Sequence, residues 1–157
     1  MNSTFEISLR LLAILATCLK SMTVERLAAY SYFCLYLSDL DKRETSLHPE
    51  IPFRNSCFIN SKEVILPAID LLMSKGLVAC DYSSHSIRFS ASDLGVALYS
   101  QIQGTYKTSL EASIQKAHEL MKRKSDSSLN ALIYGRMADW GSEFSYESVF
   151  KEIEYEE

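Results

Sequence analysis

Proline and glycine are scarce, at three and five positions in 157 residues. That scarcity suits long helices joined by short connections. A basic excess is also missing: 16 Lys and Arg stand against 20 Asp and Glu, for a net charge of -4. This argues against the broad cationic surface that dominates nucleic-acid affinity, while leaving room for a local basic patch. Long apolar runs are absent too. The stretch from Leu11 to Leu19 is preceded by Arg10 and broken by Lys20, short of the ~20 residues a membrane-spanning helix needs, and reads as a core helix. Cys18, Cys34, Cys57 and Cys80 form no CxxC or CxxxxC pair, so no zinc spacing exists. No signal peptide is expected from the opening residues, and the expectation is buried or half-buried thiols in a reducing cytoplasm.

Catalytic signatures are missing as well. There is no GxSxG, no HExxH and no glycine-rich phosphate loop. His48, His85 and His118 fall in a loop, a turn and a helix. A nucleophile such as Cys57 with His48 as base would have to be assembled in space, with nothing beyond composition behind it. Glu111, Glu119 and the tail glutamates read as solvated faces. The expectation is a non-enzyme without cofactor or metal.

With 47% hydrophobic and 23% charged residues, the chain has the composition of an ordinary globular protein. Ser3 and Glu6 form a capping box ahead of Ile7, Leu11, Ile14 and Leu15, which predicts a first helix ending near Lys20-Ser21. Thr23 caps a second, from Val24 to about Leu37, apolar over much of its girth. Its aromatic set Tyr30, Tyr32, Phe33 and Tyr36 supports two readings, a partner-binding face or core packing. From Ser38 to Asn60 the pattern breaks, and His48-Pro49 and Ile51-Pro52 impose extended backbone. Asn60 to Glu63 forms a second capping box for a third helix, in which Pro67 should impose a kink, with Lys75 and Gly76 as stop signals. Leu77–Tyr82 and Ser86–Ser90 alternate as two short strands around Ser83-Ser84-His85. Further helices follow over Leu94–Ile102, Thr105–Lys124 and Leu129–Trp140, and an acidic tail runs from Glu147.

Helix, helix, helix, hairpin, helix is the order of a winged helix-turn-helix. The fold class expected is mainly α with a small β-hairpin: a winged-helix domain over residues 1–104, then a C-terminal helical extension with an acidic tail over 105–157. DNA reading by the third helix is weakly supported. Lys62 and Lys75 are offset by Glu63 and Asp70, the wing sets Arg88 and His85 against Asp81, and no row of Arg, Asn and Gln addresses base edges.

The segments "STFEISLRLLAILATCL", "TVERLAAYSYFCLYLSDL", "SLHPEIPFRNS" and "ILPAIDLLMSKGLV" resemble the middle component of ABC-three-component systems, bacterial gene clusters that include the Lamassu anti-phage defences. The resemblance covers roughly residues 3 to 120, and Leu47–Arg54 is its most distinctive piece. It implies a small non-catalytic cytoplasmic subunit between an SMC-like ATPase with ABC-type heads and an effector, often a nuclease. DNA would be engaged through the complex, at most weakly by this chain, and no membrane is involved.

The contact surface expected on a partner is Tyr30, Tyr32, Tyr36, His48, Pro49, Pro52, Phe53 and Arg54. The prolines would pre-order the loop, and Arg54 would reach a carboxylate. The alternative is that Pro49, Pro52 and Phe53 cover the core. Lys122, Arg123 and Lys124 are the candidate phosphate contact, or simply a cationic last turn that favours the helix macrodipole. A stand-alone winged-helix transcriptional regulator is the alternative function.

Overall fold

The computed structural model describes residues 3–49, 61–82, 85–133 and 135. Helix α1, Thr4–Cys18, begins at the expected capping box: Ser3 Oγ accepts from the Glu6 N–H at 3.2 Å, and the Ser3 N–H donates to Glu6 Oε2 at 3.4 Å. It ends earlier than its pattern predicts, because Leu19 turns into the left-handed region with φ 53°. Helix α2, Val24–Phe33, starts on Thr23, whose Oγ1 accepts from the Arg26 N–H.

Helix α2 stops short of Leu37. Tyr36 leaves the helical region (φ -121°, ψ 59°), and a separate single turn, α3 (Leu37–Leu40), follows. The segment expected to be irregular from Ser38 therefore opens with helix, which buries Leu37. Side chains hold it there. Tyr32 donates to Asp39 Oδ2 at 2.6 Å, and the Ser38 and Ser46 hydroxyls meet at 2.6 Å.

Helix α4, Ser61–Ser74, carries Pro67 inside it. That side chain lies on the exposed side, where water can serve the carbonyl that loses its donor. The helix ends as Gly76 predicts. With φ 71° it lets the Leu77 N–H reach Leu72 O at 2.9 Å and its own N–H reach Met73 O at 3.0 Å, the Schellman arrangement. Strands β1 (Val78–Asp81) and β2 (Arg88–Ala91) pair antiparallel, with Val78 opposite Ala91 and Asp81 opposite Arg88. Met22, between α1 and α2, exchanges two backbone bonds of 2.8 Å with Phe89 and adds a one-residue rung to the hairpin. Helix α5 (Asp93–Gln101) is capped by Ser92, and α6 (Thr105–Met121) follows. Residues 126–133 are also helical.

The mainly helical fold with a small antiparallel hairpin is thus present. Helix α1 lies at its centre, with Leu11, Leu12, Ile14 and Leu15 excluded from solvent. It packs most extensively on α4 and also on α6, α5 and α2. Full burial of each such side chain stabilises by about 1.5–3 kcal/mol relative to exposure. The boundary expected at residue 104 marks a change of element, and the core runs across it: Leu110, Ile114, Ala117, Met121, Leu129 and Ile133 belong to the same cluster as α1.

Candidate functional site

The expected partner face is narrower than the sequence suggests. Tyr30 is wholly buried and Tyr32 is 6% exposed. The hydroxyl of Tyr30 meets His118 Nδ1 at 2.8 Å, and the Arg26 guanidinium lies 5.5 Å from its ring centroid. Tyr32 packs edge-on against Phe33, centroids 5.3 Å apart, besides holding Asp39. Of the two readings, core packing therefore fits both rings: an aromatic on a helix apolar over most of its girth is covered from several sides.

Tyr36 and His48 are half-buried, and Pro49 is exposed. The Tyr32 and Tyr36 rings lie 5.0 Å apart, Tyr36 stands edge-on to His48 at 6.2 Å, and His48 Nε2 meets the Tyr106 hydroxyl at 2.9 Å. The His48 N–H also donates to Leu35 O at 3.0 Å. An aromatic relay thus runs from the core to the rim of a groove of ≈ 540 Å³, which Glu6, Arg10, Tyr106 and Lys107 also line. Burial, then the nearby Arg10 charge, holds the His48 pKa below its ordinary value, so the neutral ring is favoured. Pro52, Phe53 and Arg54 lie outside the described residues, as does Cys57, the thiol considered with His48.

A second constellation forms around the C-terminal end of α6. Lys20, Arg26, Arg88, Lys122, Arg123 and Lys124 line one open groove of ≈ 670 Å³, against a single lining carboxylate, Asp126. Arg26 is the anchor of its wall. It donates to Asp126 Oδ1 at 3.0 Å, to Lys124 O at 2.9 Å and to Met121 O at 2.9 Å, while Thr23 Oγ1 donates to Asp126 Oδ2 at 3.1 Å. Asp126 is therefore already neutralised. Lys122 is the C-cap of α6 and pairs with Glu119 at 2.9 Å, as the macrodipole reading allows.

Sequence reasoning found residues 122–124 and missed their companions. Lys20, Arg26 and Arg88 come from the α1–α2 connection, α2 and β2, and no spacing rule joins them. The same holds for Tyr106, which meets His48 across 58 positions. Burial pushes the Cys18 and Cys34 thiols up to about 12, which keeps these two protonated and unreactive. No group of three or more His, Cys, Asp or Glu side chains suited to a metal occurs among the described residues. No described helix is long and apolar enough to cross a membrane.

A family model described as the ABC-three component (ABC-3C) system Middle Component 2 matches residues 1–143. The chain belongs to this family. The match reaches beyond the segments whose phrasing resembles a middle component and takes in α6 and both grooves. No curated protein and no solved structure matches this middle component.

Proposed function

We propose that this middle component is a non-catalytic scaffold subunit of a bacterial anti-phage defence complex of Lamassu type, cytoplasmic, bridging an SMC-like ABC-type ATPase and an effector such as a nuclease. The observation that carries the reading is the outer face of α4. In a winged helix this third long helix is the one presented to DNA. Among its positions with described side chains, Glu63, Val64, Leu66, Pro67, Asp70, Met73 and Ser74 are exposed. Val64 and Leu66 keep 43% and 50% of their surface in water. The acidic side chains there repel a phosphate backbone, the apolar ones offer it no contact, and together they suit a protein partner.

Two further features support the reading. Helix order, the hairpin and the Met22–Phe89 rung, which stands where a winged helix pairs the segment after its first helix with its wing, favour a winged-helix scaffold. The half-exposed relay of Tyr36, His48 and Tyr106 offers a second contact, and His48 belongs to the distinctive Leu47–Arg54 stretch of sequence.

The test is co-expression with the neighbouring genes, pull-down on this subunit and mass identification of what is recovered. The expected result is an SMC-like ATPase together with an effector. Leu66→Asp with Met73→Asp, and separately His48→Ala with Arg54→Ala, should each lose one of the two partners. A chain recovered alone, binding its own promoter tightly at physiological salt, would overturn the scaffold and support the stand-alone regulator.

A further inference from the structure

We propose that the groove between the α1–α2 connection, the start of β2 and the end of α6 binds the phosphate backbone of duplex DNA, without reading sequence. The scaffold reading does not require this, and neither depends on the other.

The cations that line the groove come from segments far apart in the chain, and they gather on one face of a molecule whose net charge is -4. Six of its 16 basic residues are placed there. Three of the six are consecutive in the chain, and the fold brings Lys20, Arg26 and Arg88 beside them. Two of the six are committed internally: Arg26 holds the wall and Lys122 pairs with Glu119. Among the described residues, the side chains of Lys20, Arg88, Arg123 and Lys124 make no salt bridge or hydrogen bond. Lys20, Arg123 and Lys124 are exposed, and Arg88 is half-buried.

Nearby carboxylates do not cancel this field. Asp126 is held by Arg26 and Thr23. Glu119 is taken by Lys122. Asp81 stands opposite Arg88 in the hairpin register and does not line the groove.

The rest of the lining distinguishes a nucleic acid from an acidic protein. Ser21 and Ser127 add hydroxyl donors, which commonly contact phosphate and sugar, while Ser125 Oγ is engaged with Ser128. The apolar centre that a protein interface needs is missing, because Met22 and Tyr30 behind the wall are fully buried. No Asn or Gln lines the groove, so base edges are not addressed bidentately by amides. What remains is a row of unpaired cations and hydroxyls, suited to a repeating anion.

The experiment uses the full chain and fluorescently labelled duplexes of about 20 base pairs and unrelated sequence, with anisotropy followed against salt. The expected result is binding that is equal for all sequences and weakens with salt. The groove variant Lys20→Gln, Arg123→Gln, Lys124→Gln should bind about tenfold or more weakly, with the log–log salt slope reduced by about one per cation removed. The control variant Lys75→Gln, Lys107→Gln, Lys116→Gln loses the same charge on other faces and should keep both affinity and slope. Circular dichroism melts confirm that each variant folds; where the groove variant melts early, Lys124→Glu alone replaces it.

Three results would overturn the proposal. One is no duplex binding by the wild type at low salt. Another is equal weakening by the groove and control variants. The third is capture of polyglutamate but not duplex, which would make the groove a dock for an acidic protein.

Discussion

Gly95 stands in the first turn of α5, where that helix crosses the residue leading into β1. A Cβ placed on it would lie 2.1 Å from Leu77 O and 3.2 Å from a Leu12 methyl. Exchanging a helical glycine for alanine ordinarily stabilises by up to about 1 kcal/mol. Here the sign reverses, because a backbone carbonyl cannot swing aside as a flexible side chain can. Gly95→Ala is expected to destabilise by about 1–3 kcal/mol or more, read as a lower urea midpoint at unchanged m-value. A gain in stability would mean that α5 shifts away from Leu77 at no cost. From the sequence Gly95 is merely part of a helix opening after Ser92. Its helical start is legible there, since Ser92 caps it, but the approach of Leu77 across it is not.

Elements are joined in this protein by a few polar groups as much as by apolar surface, and the junction of α2 with the turn after α6 is the clearest case. Arg26 reaches two carbonyls and Asp126 there with a side chain only 12% exposed. Lysine keeps the charge but has no planar fork to satisfy several acceptors at fixed positions. Arg26→Lys is therefore expected to cost about 1–3 kcal/mol in urea denaturation, through the acceptors it leaves unpaired. The exposed Lys122–Glu119 pair makes the comparison: Lys122→Ala should cost no more than about 0.5 kcal/mol. Equal losses in the two variants would show that the Arg26 fork carries no more than a surface ion pair. At this scale the sequence was read well where termini are local. Ser3, Thr23, Ser92 and Gly76 set helix ends through bonds to residues within a few positions of themselves. It was misread where tertiary packing intervenes, as when α2 stops at Phe33 so that Leu37 and Asp39 can turn inward.

For the whole molecule, His48 and His118 both make stability depend on pH. Burial is the first cause that lowers the pKa of both His48 and His118, followed by Arg10 for the former and Lys122 for the latter. The unfolded chain takes up these protons near the ordinary value of 6.5, the folded chain only at lower pH. Between the two, the unfolded state holds more protons, so the stability present above pH 6.5 is lost as pH falls through the folded values. The urea midpoint should be flat from about pH 8 to 7 and decline below about 6.5, and His48→Gln with His118→Gln should flatten that decline. An unaltered decline in the double variant would assign it to carboxylates instead. Asp41, for one, is held below its usual range by Arg43.

By itself the sequence determined the helical class, the helix starts capped by Ser3, Thr23 and Ser92, the helix stop at Gly76 and the hairpin after it, together with the middle-component resemblance and the basic run at 122–124. These follow from chemistry acting over one turn of chain or from phrasing along it. Only the tertiary structure decided which faces meet. It withdrew Tyr30 and Tyr32 into the core, set His48 against Tyr106, and drew Lys20 and Arg88 alongside residues 122–124. Such pairings depend on where whole elements pack around α1, and apolar burial that drives the packing has no direction of its own. The residues it brings together are therefore carried as passengers, and no local spacing in the chain announces them.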